Sequence, residues 1–121
     1  MSKRILVVED QKDNRQILRD LLTAAGYELL EAIDGEAGVA MASAEKPDLI
    51  LMDIQLPQID GYEATRRIKA DPALRHIPIV AVTSYALSGD EEKTRAAGCD
   101  AYIAKPFSPR QLLAKVRELL G

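Results

Sequence analysis

Three acids, a hydroxyl and an amine stand directly after short apolar runs in this chain. Glu9 and Asp10 follow Ile5-Leu6-Val7-Val8, and Asp53 follows Leu49-Ile50-Leu51-Met52. Thr83 follows the run 77–82, and Lys105 follows the run 101–104. Brought together, Glu9, Asp10 and Asp53 would repel one another and raise one another's pKa values unless something positive intervened. A hard divalent cation with oxygen ligands answers this. Mg²⁺ is the natural choice, because it works with few carboxylates plus waters and phosphate oxygens. Asp53 adds a further chemistry, since a carboxylate can attack phosphorus and form an acyl phosphate. Lys105 offers a compact positive charge for a phosphoryl oxygen, and Thr83 a hydroxyl donor.

Each residue taken singly has a plainer reading. Glu9 and Asp10 suit a solvated loop before a helix N-terminus, where acids are common. A lone acid ending a strand is more often a cap. Lys105 could simply form a salt bridge, and Thr83 is a good strand former. The case rests on convergence. Asp53 comes directly after four apolar residues, so its carboxylate is costly without a partner. If the apolar runs are parallel strands, their carboxyl ends share one edge. The ligand crevice of a doubly wound sheet lies there.

Five runs carry that requirement: residues 5–8, 27–33, 49–52, 77–82 and 101–104. Four are nearly continuous apolar stretches, as in strands covered on both faces. The second carries Glu28 and Glu31 and suits an edge. Helical segments alternate with them. Asp13 is expected to cap the first, whose stripe is Ile17, Leu18, Leu21, Leu22 and Ala25, with Gly26 ending it. The second spans about residues 35–45 and stops before Pro47. Asp60 with Glu63 reads as a capping box for the third, which gives out near Asp71-Pro72, and Ser88 with Glu91 as one for the fourth, closed by Gly98. Ser108-Pro109-Arg110-Gln111 opens the fifth, with Leu112, Leu113, Val116, Leu119 and Leu120 as its stripe. The expected fold is a doubly wound α/β domain, a five-stranded parallel sheet in the order 2-1-3-4-5. One domain over residues 1–121 is expected, with no room for an output domain.

Composition narrows the function. At 121 residues one core is expected. The net charge of −3, without a basic run, argues against direct DNA binding. No apolar run is long enough for a membrane span. Cys99 is the single cysteine, and no signal-peptide pattern follows Met1, so a cytoplasmic setting is expected.

At these residues the sequence resembles the receiver domains of two-component response regulators, over its whole length. The matching elements are Val8-Glu9-Asp10, Asp48-Leu49-Ile50-Leu51-Met52-Asp53 with Leu56-Pro57 and Asp60-Gly61, Ala81-Val82-Thr83-Ser84, and the stretch from Gly98 to Lys105-Pro106-Phe107. Within the family, Met52-Asp53-Ile54-Gln55-Leu56-Pro57, His76-Ile77-Pro78 and Gly89-Asp90-Glu91-Glu92 are similar to single-domain regulators.

The resemblance implies a flavodoxin-like fold and phosphorelay signalling. Asp53 would accept a phosphoryl group from a sensor histidine kinase or a histidine phosphotransfer protein. Asp10, Asp53 and the Gln55 backbone carbonyl would ligate Mg²⁺, with Glu9 acting largely through water. Thr83 and Lys105 would hold the phosphoryl oxygens. Tyr102 would be the switch aromatic, and a downstream protein would bind the face of the fourth helix, fifth strand and fifth helix. Glu9 departs from the more frequent aspartate, which bears on metal geometry more than on function. Ser84 replaces a frequent alanine.

Other residues have expected places too. A cis Lys105-Pro106 bond would aim the lysine inward. Gln55 and Tyr85 are expected at the mouth of the site, where a bulky Tyr85 would slow water and lengthen the phosphorylated lifetime. His76 reads as a loop residue, Cys99 as packing in a turn, and the acidic run at residues 90–93 as a solvated helix face.

Three rivals remain open. An aspartyl phosphatase would want a second acid two residues after Asp53. Gln55 stands there and cannot serve as general acid. A flavin module would want a glycine- and hydroxyl-rich loop after the first strand, whereas Glu9-Asp10-Gln11-Lys12-Asp13 would repel a bare phosphate. A receiver excised from a hybrid kinase would share the chemistry with different partners. The expected function is a phosphoacceptor signalling domain, not an enzyme with a separate turnover substrate.

Overall fold

A computed structural model describes residues 2–83 and 90–120. Five strands alternate with five helices: β1 Arg4–Val8, α1 Lys12–Ala24, β2 Glu28–Ala32, α2 Gly35–Glu45, β3 Leu49–Asp53, α3 Gly61–Ala70, β4 Ile79–Thr83, α4 Asp90–Ala97, β5 Ala101–Ala104 and α5 Pro109–Leu120. All pairings are parallel and the order is β2-β1-β3-β4-β5, the flavodoxin-like order expected from the sequence. The mixed strand β2 is an edge, as its two glutamates require.

Residues pointing alternately to the two faces build two cores, one on each side of the sheet, where length alone suggested one. Ile5, Val7, Leu49, Leu51, Val80 and Val82 pack with Leu18, Leu22, Leu112 and Val116 of α1 and α5. Leu6, Val8, Ile50, Met52 and Ile79 pack with Ala42, Ala64 and Ile68 of α2 and α3. Every residue of β3 and β4 is buried. Covering the sheet on both faces leaves the carboxyl ends of the strands as the place where polar side chains can gather.

Helix ends follow the sequence at most points. Asp60 accepts from the Glu63 amide at 2.9 Å, and the Gln111 amide reaches the Ser108 hydroxyl at 3.4 Å. Gly26 and Gly98 close α1 and α4 with φ of 96° and 106°, values that favour glycine. Asp34 caps α2 through the Ala37 amide at 2.7 Å, a cap not expected beforehand.

Two expectations fail. The cap residue of α1 is Gln11, without a side-chain cap bond, and Asp13 lies inside the first turn. The acidic loop already turns the chain into the helix two residues earlier. Ile17, assigned to the buried stripe, is 53% exposed. The face of α1 against the sheet is centred on Leu18 and Leu22, so Ile17 lies past its border. The Ser88 cap lies outside the described residues.

Candidate functional site

The strand ends deliver the expected groups to one place. Asp53 is the last residue of β3 and only 3% exposed. Its backbone is paired to Val82, so Thr83 is the next residue along the neighbouring strand. Thr83 is fully buried, and its carbonyl accepts from the Lys105 amide at 2.7 Å. Glu9 follows β1, held by its own amide on the Ala32 carbonyl at 3.0 Å, and its side chain is buried. Ligand oxygens of Glu9, Asp10 and Asp53 lie within 4.8 Å of one another.

Lys105 closes the cluster. Its Nζ lies 3.1 Å from Glu9 Oε1 and 3.4 Å from Asp53 Oδ2. One ammonium thus bridges two buried carboxylates from strands 44 positions apart in sequence (9 and 53), and it comes from a third strand end. The remaining oxygens are used as well. Glu9 Oε2 accepts from the Gln11 amide and Asp53 Oδ1 from the Gln55 amide, each at 3.1 Å. Asp10 is half-buried, and among the described residues its side chain accepts only from its neighbour Gln11, through Nε2 at 3.4 Å. The Lys105-Pro106 bond is cis.

Three carboxylates against one ammonium leave a negative excess. Burial raises the Glu9 carboxyl above its ordinary 4.5, and the adjacent Asp53 raises it further, while the Gln11 amide and Lys105 oppose both. This donor set fits a divalent cation: hard oxygens only, clustered, partly open at Asp10, and short of positive charge. A carboxyl raised in the folded state takes up a proton on folding. Its favourable share is therefore full below about pH 4.5 and is lost as pH rises through the folded value. Glu9→Gln is thus expected to stabilise the metal-free protein at pH 7 by about 1 kcal/mol, or about 3–5 °C in melting temperature. Melts in a chelator at pH 4 and pH 7 check this: the gain should shrink or vanish at the acid end.

Gln55 is exposed at the mouth, as expected, with its backbone tied to Asp53. Tyr85 and Ser84 lie outside the described residues. Tyr102 is half-buried on β5, opposite Ala81, and lines a cavity of about 280 Å³ with Thr94, Arg95 and Lys115. His76 lies in an exposed turn. Cys99 packs against Thr65 at 3.7 Å, and burial holds its thiol above the ordinary range, so it stays protonated.

Gly61 was not foreseen as a site residue beyond its place in a motif. A Cβ there would stand 2.3 Å from the Asp53 carbonyl oxygen and 2.7 Å from Ile54 Cα. Helix α3 can begin directly behind the buried acid only because that side chain is absent. A glycine just after the Asp60 cap was the available signal.

The family model of the response regulator receiver domain matches residues 5–117. This chain belongs to that family. It is similar to single-domain regulators of two-component signalling: the polar-differentiation response regulator DivK of Brucella anthropi is 46% identical over 121 residues, which cover all of this chain and 98% of that one. The receiver domain of a sensor histidine kinase from Pseudomonas aeruginosa, solved with a magnesium ion coordinated in its active-site cleft, is 39% identical with a TM-score of 0.94, covering 100% and 99% of the two chains. A chemotaxis response regulator of Vibrio cholerae is 28% identical with a TM-score of 0.93, covering 99% of this receiver and 100% of that chain. No helix among the described residues of the receiver is long and apolar enough to cross a membrane.

Proposed function

We propose that this receiver acts as a free-standing phosphoacceptor in a phosphorelay, taking a phosphoryl group onto Asp53 from a phosphohistidine on a sensor kinase or phosphotransfer protein. The carrying observation is the Lys105 ammonium set between the buried Asp53 and Glu9 carboxylates. A lone buried acid would be costly, but here the Lys105 ammonium and the Gln55 amide each give the Asp53 carboxylate a partner.

Asp10, Asp53 and the Gln55 carbonyl would hold Mg²⁺, with Glu9 behind them. When bound, the ion would supply charge neutralisation for the transferred group. Asp53 is the nucleophile. Lys105 is placed to transfer its bond from Asp53 to a phosphoryl oxygen, and Thr83 can donate its hydroxyl to another. Both come from the β4 and β5 ends. A new phosphate would pull on these two strands, and Tyr102 on β5 would carry the change to the α4–β5–α5 face, where a downstream protein would dock. A location in the cytoplasm suits these partners. The 46% identity with the DivK relative supports the free-standing reading.

The donor protein also needs a docking surface. Beside Lys105 lies an apolar depression of about 530 Å³ lined by Asn14, Ile17, Pro106, Phe107 and Pro109. It adjoins the pocket and contains the exposed Ile17. Ile17→Lys is expected to slow transfer from a phosphohistidine protein about tenfold, the usual weight of one apolar anchor. Labelling by a small donor should follow the wild type.

The direct test is incubation with acetyl phosphate and Mg²⁺, read by intact mass. One phosphoryl adduct is expected. Steady release of phosphate from unrelated esters, with no adduct, would instead favour an aspartyl phosphatase.

A further inference from the structure

The acidic loop is held from behind by a side chain that the phosphoacceptor reading does not use. Arg15, in the first turns of α1, sends Nη1 to the Glu9 carbonyl at 2.9 Å and to the Asp10 carbonyl at 3.0 Å. Its side chain is only 18% exposed. Its own amide is fixed on the Gln11 carbonyl at 3.0 Å. On the far side, Arg15 Nε faces Glu31 Oε1 of the edge strand at 3.9 Å, too long for a hydrogen bond. Arg19 holds the other oxygen of Glu31 at 2.6 Å. The guanidinium is thus set between a helix, an edge strand and the loop.

Two successive carbonyls on one nitrogen have a geometric consequence. The Glu9 carbonyl belongs to the peptide plane before the Asp10 Cα, and the Asp10 carbonyl to the plane after it. Fixing both planes fixes the two backbone dihedrals of Asp10, and with them the direction of its Cα–Cβ bond. Glu9 and Asp53 have other supports in Lys105 and in backbone amides. Among the described residues, the Asp10 side chain has only its neighbour Gln11. Of the three acids, Asp10 therefore depends most on how its backbone is held.

We infer that Arg15 is a positioning residue which presets the Asp10 carboxylate for a divalent cation by clamping the carbonyls on either side of it. The inference rests on the cation-binding reading of the pocket. Residues that orient metal ligands typically shift metal affinity 10- to 100-fold when lost.

The test is Mg²⁺ binding by calorimetry for wild type, Arg15→Gln and Arg15→Lys, with a melt of each and amide chemical shifts recorded without metal. Arg15→Gln is expected to bind Mg²⁺ about tenfold more weakly. Arg15→Lys, which keeps a cation near the carbonyls, should recover part of the loss. The metal-free amide signals of Asp10 and Gln11 should move in Arg15→Gln while those of β3 stay. Lowered melting temperature with Mg²⁺ affinity within twofold of wild type would overturn the inference and leave Arg15 a structural residue. If Arg15→Gln does not fold, Arg15→Lys is judged by the same criterion. A wild type that takes up no Mg²⁺ overturns the pocket reading itself; a binding wild type with an equally binding variant overturns the Arg15 inference alone.

Discussion

Asp53→Asn is expected to take up no phosphoryl group from any donor while folding at least as well as the wild type. The amide lacks the anionic oxygen that must form the bond to phosphorus. Its carbonyl oxygen can still accept from the Gln55 amide, which bonds Asp53 Oδ1 at 3.1 Å. Lys105 keeps its bond to Glu9 at 3.1 Å. One like charge is gone from the cluster, so the upward pressure that Asp53 exerts on the Glu9 carboxyl falls. Metal-free melting temperature should therefore hold or rise. Intact mass after exposure to a phosphohistidine protein and to acetyl phosphate, beside a thermal melt, checks both halves. An adduct on the variant would move the acceptor elsewhere, and a fall of several degrees would make Asp53 structural.

The second large effect belongs to a residue with no side chain. Gly61→Ala introduces a methyl group 2.3 Å from the Asp53 carbonyl oxygen. Alanine is the better helix former by roughly 1 kcal/mol, which would favour the change at an open position. Here the obstacle is backbone, on a fully buried strand, and cannot swing aside. The Gly61 amide also bonds the Ile54 carbonyl at 2.9 Å, so loop and helix shift together. A net loss of about 1–3 kcal/mol is expected, as for overpacked interiors. The displacement falls on the acceptor itself. In-line attack tolerates little misplacement, so phosphorylation by acetyl phosphate should slow at least about tenfold even where the variant is fully folded. Urea melts and labelling time courses separate the two effects. A variant as stable and as fast as wild type would mean that α3 relaxes away without moving Asp53.

What could be read from the residues, and what could not, divides along physical lines. Glu9, Asp53, Thr83 and Lys105 were readable because a polar residue closing an apolar strand is conspicuous, and a parallel sheet puts all such ends on one edge. The edge position of β2 was readable from Glu28 and Glu31. Ile17 was misplaced because a helical stripe gives the buried direction but not its width, which the facing sheet decides. Asp13 was misassigned as a cap because several polar residues before a helix compete, and the loop geometry chooses. The roles of Gly61 and Arg15 were hidden for a further reason. Each acts through backbone atoms of another segment, the Asp53 carbonyl in one case and those of Glu9 and Asp10 in the other. A side-chain pattern carries no record of which backbone it will meet.

The same contrast explains why the pocket is stable enough to exist. Lys105 offsets two carboxylates, amides of Gln11 and Gln55 take one oxygen each, and Arg15 adds a positive group behind the loop. The arrangement is poised between holding together without metal and welcoming one.

Locating the phosphoryl group gives the most direct check of the central claim. The protein would be treated with acetyl phosphate in Mg²⁺ or in a chelator, reduced with borohydride to trap any acyl phosphate, digested and mapped by mass spectrometry. Modification is expected at Asp53 alone, and only where the cation is present. Equal labelling in the chelator, or a trapped group on any other residue, would contradict it.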